Sequence, residues 1–140
     1  VNEDLKKRIK TVLEGNSVGV LATIKDDQPY ARYMTFWHDE LVLYTPTRAD
    51  AHKVEDIEAN PNVHILLGYE DEGQGDTFVE IEAEAVIEDD ADVKAWMWSE
   101  RMDQRYNDPE DPALIVLKCT PSVIRYRNDD DINTPQEVRL

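Results

Sequence analysis

Cysteine is almost absent: Cys119 is the only one. No disulfide can close within the chain, which fits a reducing compartment. Cys119 lies in the apolar run Leu114-Ile-Val-Leu-Lys-Cys119, where a small core residue is the expected role. No apolar run approaches the roughly 18 residues of a membrane-spanning helix, and no signal-peptide pattern opens the sequence. The expectation is a cytoplasmic protein with no membrane partner. Positive charge is also scarce. Against 31 Asp and Glu stand 15 Lys and Arg, a formal net charge of −16. That balance disfavours nucleic acid and anionic lipid as partners, since both attract basic surface. It favours solubility, and it also suits a high-salt environment. The three histidines are widely separated and have no zinc-ligand spacing. There is no glycine-rich phosphate loop and no nucleophile elbow. No repeat, linker or composition break divides the chain, so residues 1–140 read as a single domain with one core.

What is present reads as short elements in quick succession. Leu5, Ile9, Val12 and Leu13 recur at helical spacing and predict an amphipathic helix over Asp4 to Leu13, ended by Gly15-Asn16. Ser17 to Ile24 is β-branched and apolar and predicts a buried strand. A turn at Asp26-Asp27-Gln28-Pro29 leads to a strand from Tyr30 to Trp37. His38-Asp39-Glu40 then turns into a strand from Leu41 to Thr45. Together these predict a meander of three antiparallel strands. Ala49 to Ala59 reads as a helix that Asp50 could cap and Pro61 ends. Asn62 to Tyr69 reads as a strand, and Asp71 to Asp76 as a flexible loop. Thr77 to Glu88 alternates: Val79, Ile81, Ala83, Ala85 and Ile87 share one face, and Glu80, Glu82 and Glu84 the other. This is the pattern of an edge or half-exposed strand.

A helix is expected from about Ala91 to Gln104. Trp96 and Trp98 lie two residues apart on it and cannot share a face, so one is expected in the core and the other exposed or against a partner. Leu114 to Thr120 and Val123 to Arg127 read as strands broken by Pro121. Asp129-Asp130-Asp131 begins a mobile tail, and Glu137 to Leu140 reads as a short last strand. The sum is a mainly β (α+β) fold, a small antiparallel barrel with helices packed outside.

Within this acidic chain, Ala31 to Lys53 stands apart. Arg32 opens a strand, Arg48 lies in the loop that follows Thr45, and His52 and Lys53 lie in a first helical turn. A helix start presents unpaired backbone N–H groups and the positive end of a dipole. With a guanidinium fork and point charges added, the set suits a phosphate monoester. Surface salt bridging to the many carboxylates is the plainer reading of the same residues.

The pattern Arg32-Tyr33-Met34-Thr35-Phe36, then Tyr44-Thr45, then Arg48 to Lys53 with Val54-Glu-Asp-Ile57 and Asn60-Pro61, resembles the flavin-binding pattern of the pyridoxamine 5'-phosphate oxidase-like split barrels. The general stress protein 26 group is most similar. The resemblance extends from the Gly19 to Thr23 strand to the loop Asp108 to Ala113 and the strand after it. It implies a six-stranded antiparallel split β-barrel with peripheral helices, working as a homodimer with FMN at the interface.

By the same resemblance Arg32 and Lys53 bind the FMN phosphate. Family members commonly have arginine where this chain has His52, and Arg48 could reach back to replace it. Tyr33, Met34 and Thr35 would line the flavin ring, Tyr44 would enter from the next strand, and Thr45 would lie near the phosphate or ribityl chain. The implied function is FMN-dependent oxidation or reduction of a small molecule, linked to general stress response. True pyridoxamine phosphate oxidases carry a C-terminal Arg/His segment, which Ile124 to Asp131 does not match. A flavin carrier or sensor without turnover, a deazaflavin or haem binder, and a ligand-free interaction protein are the alternatives.

Overall fold

In the computed structural model, residues 3–69, 77–128 and 136–140 are described. The Asp71 to Asp76 loop and the Asp129 to Asp131 tail lie outside them. The elements run α1 (Glu3–Gly15), β1 (Val18–Lys25), β2 (Gln28–Thr35), β3 (Trp37–Asp39), β4 (Val42–Arg48), α2 (His52–Ala59), β5 (Asn62–Gly68), β6 (Phe78–Glu88), α3 (Ala91–Met97), α4 (Glu100–Asp103), β7 (Leu114–Arg127) and β8 (Gln136–Arg139). No helix among the described residues is long and apolar enough to cross a membrane.

Among the described residues, eight strands form one sheet in the order β2-β1-β5-β6-β7-β4-β3, with β8 also paired to β7. The fold is therefore the expected antiparallel split barrel, with eight strands where six were anticipated. The two extra strands are the short β3 and β8. Facing residues in neighbouring strands share a face of the sheet. One such row runs Arg32, Leu21, Ile65, Ile81, Ile124 and Val138 across six strands. Its four central members are fully buried. Helix α1 adds Leu5, Ile9, Val12 and Leu13 to the same core. Ile9 is 0% exposed, so Ile9→Ala should cost about 2–5 kcal/mol.

β4 and the first half of β7 are covered on both faces. Leu43, Leu117 and Cys119 enter the main core. Tyr44, Leu114 and Val116 join Met97, Met102 and Tyr106 in a second cluster under α3 and α4. Double coverage explains the nearly unbroken apolar run of β7. Burial pushes the Cys119 thiol up to about 12, so it is a packing residue and stays protonated.

Several local expectations are corrected. The three-strand meander does not form: β2 pairs with β1, whereas β3 pairs with β4 at the far end of the strand order. β4 continues through Pro46 to Arg48, so Arg48 ends a strand and does not lie in a loop. α2 begins at His52 with Ala51 as its N-cap and no side-chain cap; Asp50 pairs with Arg48 instead. β6 is a central strand, not an edge, although its glutamate face is the half-exposed one. The expected long helix breaks at Trp98-Ser99 into α3 and α4. Pro121 does not break β7. The register slips there, with Glu82 facing Val123 and Ala83 facing Pro121, which leaves Ser122 as an extra residue in a bulge.

Candidate functional site

β2, at one end of the sheet order, and β4, the strand next to the other end, come together without forming a ladder. The Thr45 hydroxyl, fully buried, donates to the Thr35 carbonyl across this seam at 2.8 Å. Strand order makes the seam, and the seam positions the residues of interest. Arg32 is on β2, Thr47 on β4, and Lys53 in the first turn of α2, which follows β4 after only three residues.

Arg32 sits on the core-facing side of an edge strand, opposite Leu21. Its guanidinium donates to the Thr23 hydroxyl at 2.7 Å and to the Leu21 carbonyl at 3.3 Å. Lys53 Nζ donates to the Thr47 hydroxyl at 3.1 Å. Thr23 is fully buried and Thr47 nearly so. Burial is the main force lowering the Lys53 pKa, and the Arg32 charge lowers it further. Burial likewise lowers Arg32, while Asp56, one turn after Lys53, acts in the opposite direction. Two cations thus stand half-buried beside each other, held by hydroxyls.

Among the described residues neither is in an ion pair, whereas Arg8, Lys10, Arg48, Lys94, Arg125, Arg127 and Arg139 all are. An inward charge can protect an edge strand from aggregation. That role does not require a second cation beside it. The pair fits a dianion, which would supply counter-charge beyond that of Asp56, and the uncapped start of α2 adds dipole in the same sense.

The other predicted residues separate into groups. Met34 shares the Arg32 face of β2, two residues on. Together with Tyr33, Thr35, Trp37, Pro46, Met102 and Tyr106, Met34 lines a cleft of about 330 Å³ at the seam. Tyr33 points out of the sheet and is 80% exposed. Tyr44 is not part of this cleft. It is buried in the second cluster and meets Trp96 edge-on, with ring centroids 5.5 Å apart. Thr45 acts as a brace across the seam. His52 is exposed. Arg48 turns to Asp50 at 3.2 Å and does not reach back toward Lys53.

Sequence reasoning missed Trp37, Pro46, Met102 and Tyr106. The four-residue spacing of Met102 and Tyr106 was the available signal that they share a side. Trp98 packs against the second cluster, while Trp96 is 49% exposed, so the expected division of the two tryptophans holds.

The sequence matches the pyridoxamine 5'-phosphate oxidase family over residues 5–128. It is 44% identical to General stress protein 26 of Bacillus subtilis (strain 168) over 138 residues, covering 99% of this chain and 98% of that protein. The crystal structure of General Stress Protein 26 from Bacillus anthracis str. Sterne superposes with a TM-score of 0.86 at 36% identity, covering 97% of this chain and 98% of that one. More distant structures share the fold alone. A FAD-binding protein from Mesorhizobium loti gives a TM-score of 0.69 at 20% identity, covering 84% of this chain and 90% of that one. A heme storage protein from Vibrio cholerae gives 0.68 at 18%, covering 84% and 89%.

Proposed function

Because the chain belongs to the pyridoxamine 5'-phosphate oxidase family, we propose that it binds FMN at the seam and serves oxidation–reduction of a small molecule. The observation that carries this reading is the Arg32–Lys53 pair, half-buried and in no ion pair among the described residues, with Asp56 acting on Arg32 only at longer range. A terminal phosphate dianion is the group that such a pair accommodates best. FAD-binding by a protein of the same fold supports a flavin here. Bound FMN would supply the hydride or electron transfer. The chain's own residues do the rest. Arg32 and Lys53 anchor the phosphate, Thr23 and Thr47 orient the two cations, and the Thr45 bond holds Thr35 at the mouth of the cleft. Met34, Trp37 and Met102 give the cleft apolar walls that exclude water.

The reading includes a homodimer. Tyr33 faces Val20, and Val20 faces Leu66, on the outer side of the sheet. Tyr33, Leu66 and nearby Val18 are exposed at 80%, 41% and 53%. Such a strip beside a cleft suits coverage by a second copy, which would close the cofactor site. Pyridoxamine phosphate oxidase activity itself is disfavoured. Arg125 and Arg127, the basic residues near the end of the match, are held by Glu82, Glu137 and Glu80. A cytoplasmic setting and a role in general stress response complete the proposal, the latter from the relatives' names.

The test is the visible spectrum after incubation with FMN and desalting. Retained flavin supports the site, and Lys53→Ala should release it. Failure to retain flavin at both low and high salt would reject the proposal. Turnover with NAD(P)H and a panel of acceptors then separates an enzyme from a carrier.

A further inference from the structure

A second hollow of about 780 Å³ lies on the other side of Thr35 and Trp37, between the end of α1 and the α3–α4 break. Trp37 and the half-exposed Trp96 give it aromatic walls, the core residue Phe36 lies at its floor, and Glu14 and Glu100 give it acidic walls. Among the described residues no lysine or arginine lines it. Lys10, one turn before Glu14, is paired with Glu40 and also feels the Glu14 charge; among the described residues neither Glu14 nor Glu100 is within ion-pair distance of a cation. The only other titratable group lining it is His38, whose Nδ1 lies 3.2 Å from the Glu40 carbonyl. The Trp96 ring is steadied by its edge-on contact with Tyr44, an interplanar angle of 83°.

We propose that this hollow binds a small organic cation carrying an aromatic ring. Three features select that occupant. The indole rings favour a flat apolar body, and their electron-rich faces favour positive charge. The two carboxylates complement an ammonium group, and no cation among the described lining residues competes with it. The net charge of −16 draws cations toward the molecule and repels anions. The volume suits a ligand of small-molecule size. The site stands independently of the flavin reading, although Thr35 and Trp37 are walls common to both cavities.

Isothermal titration calorimetry of the full chain at fixed salt tests this. The probes are benzyltrimethylammonium, its neutral counterpart benzyl alcohol, and benzoate. The expected result is saturable binding of the cation at one site per chain, with both other probes about tenfold weaker or undetectable. Trp96→Ala should weaken cation binding about fivefold or more, and Trp96→Phe should retain most of it. Glu14→Gln with Glu100→Gln should weaken the cation and leave benzyl alcohol unchanged. Circular dichroism confirms folding of each variant; if Trp96→Ala is unfolded, the phenylalanine and glutamine variants decide. No saturable binding of the cation would overturn the proposal. Binding unaffected by the folded variants, or benzyl alcohol binding as well as the cation, would do the same.

Discussion

Lys53 is in an environment that suits a ligand better than it suits the lysine. Its pKa is lowered from the usual 10.5, first by burial and then by Arg32. An unfolded chain would let the same lysine hold its proton at higher pH. Between the depressed folded pKa and 10.5 the unfolded state therefore binds more protons, and the stability of the flavin-free protein should rise with pH through that window. Lys53→Met removes both the buried charge and the repulsion. The expected outcome is an unchanged or higher melting temperature near neutral pH, with the difference from wild type shrinking as pH rises, and at least about tenfold weaker FMN binding. Thermal melts across pH, paired with flavin titrations, read both. A variant that is less stable and still holds FMN would show that Lys53 is structural. Arg32 and Lys53 were legible in the sequence because basic residues are scarce there. The absence of an ion pair to either among the described residues was not, since pairing depends on which strands meet.

At the scale of elements, periodicity identified α1, β1 and β6, where one face is buried and the other wet. It failed where backbone geometry is decided by neighbours. Pro46 and Pro121 look like strand breaks, yet one lies within β4 and the other is absorbed by the bulge of β7. The chain's crossing from β2 to β3 reads as one continuous strand, Tyr30 to Trp37, because nothing local distinguishes a strand that continues from one that jumps to the far end of the sheet. The β1–β2 turn gives a clean test. Asp26 and Asp27 both have positive φ, 51° and 64°, as a two-residue hairpin turn of matching twist requires. Asp27→Gly relieves the strain of a left-handed non-glycine residue and should raise stability by about 0.5–1 kcal/mol, read as a higher denaturant midpoint. Gly19 is the converse. A Cβ there would meet Leu67 Cδ2 at 2.5 Å and the Leu66 carbonyl at 2.7 Å. Gly19→Ala should lower stability by about 1–3 kcal/mol, and a neutral result would mean that β1 and β5 are less closely held than described.

The whole molecule carries two features that no single element shows. The first is charge. At −16 the folded state repels itself, and salt screens that repulsion over roughly 10 Å at 0.1 M. Raising salt from about 0.05 M to 1 M should raise the melting temperature. A flat or falling response would mean that the ion pairs of β6, β7 and β8 outweigh the net charge. The second is the outer strip of Val18, Tyr33 and Leu66. In the proposed homodimer, Leu66→Glu would place like charges against an apolar surface, so sedimentation should show a shift toward monomer, with flavin affinity falling in parallel. Loss of one without the other would separate dimer from cofactor site. Composition made the first feature legible; the second needed the sheet register that puts Tyr33 and Leu66 on either side of Val20.

The most direct measurement compares the dissociation constants of FMN and riboflavin, which differ only in the phosphate, for wild type and for Lys53→Ala. If Arg32 and Lys53 anchor the phosphate, wild type should prefer FMN by about a hundredfold, and the variant should lose most of that preference while its riboflavin affinity stays the same. Equal affinities for FMN and riboflavin in the wild type would contradict the assignment of this pair as a phosphate site.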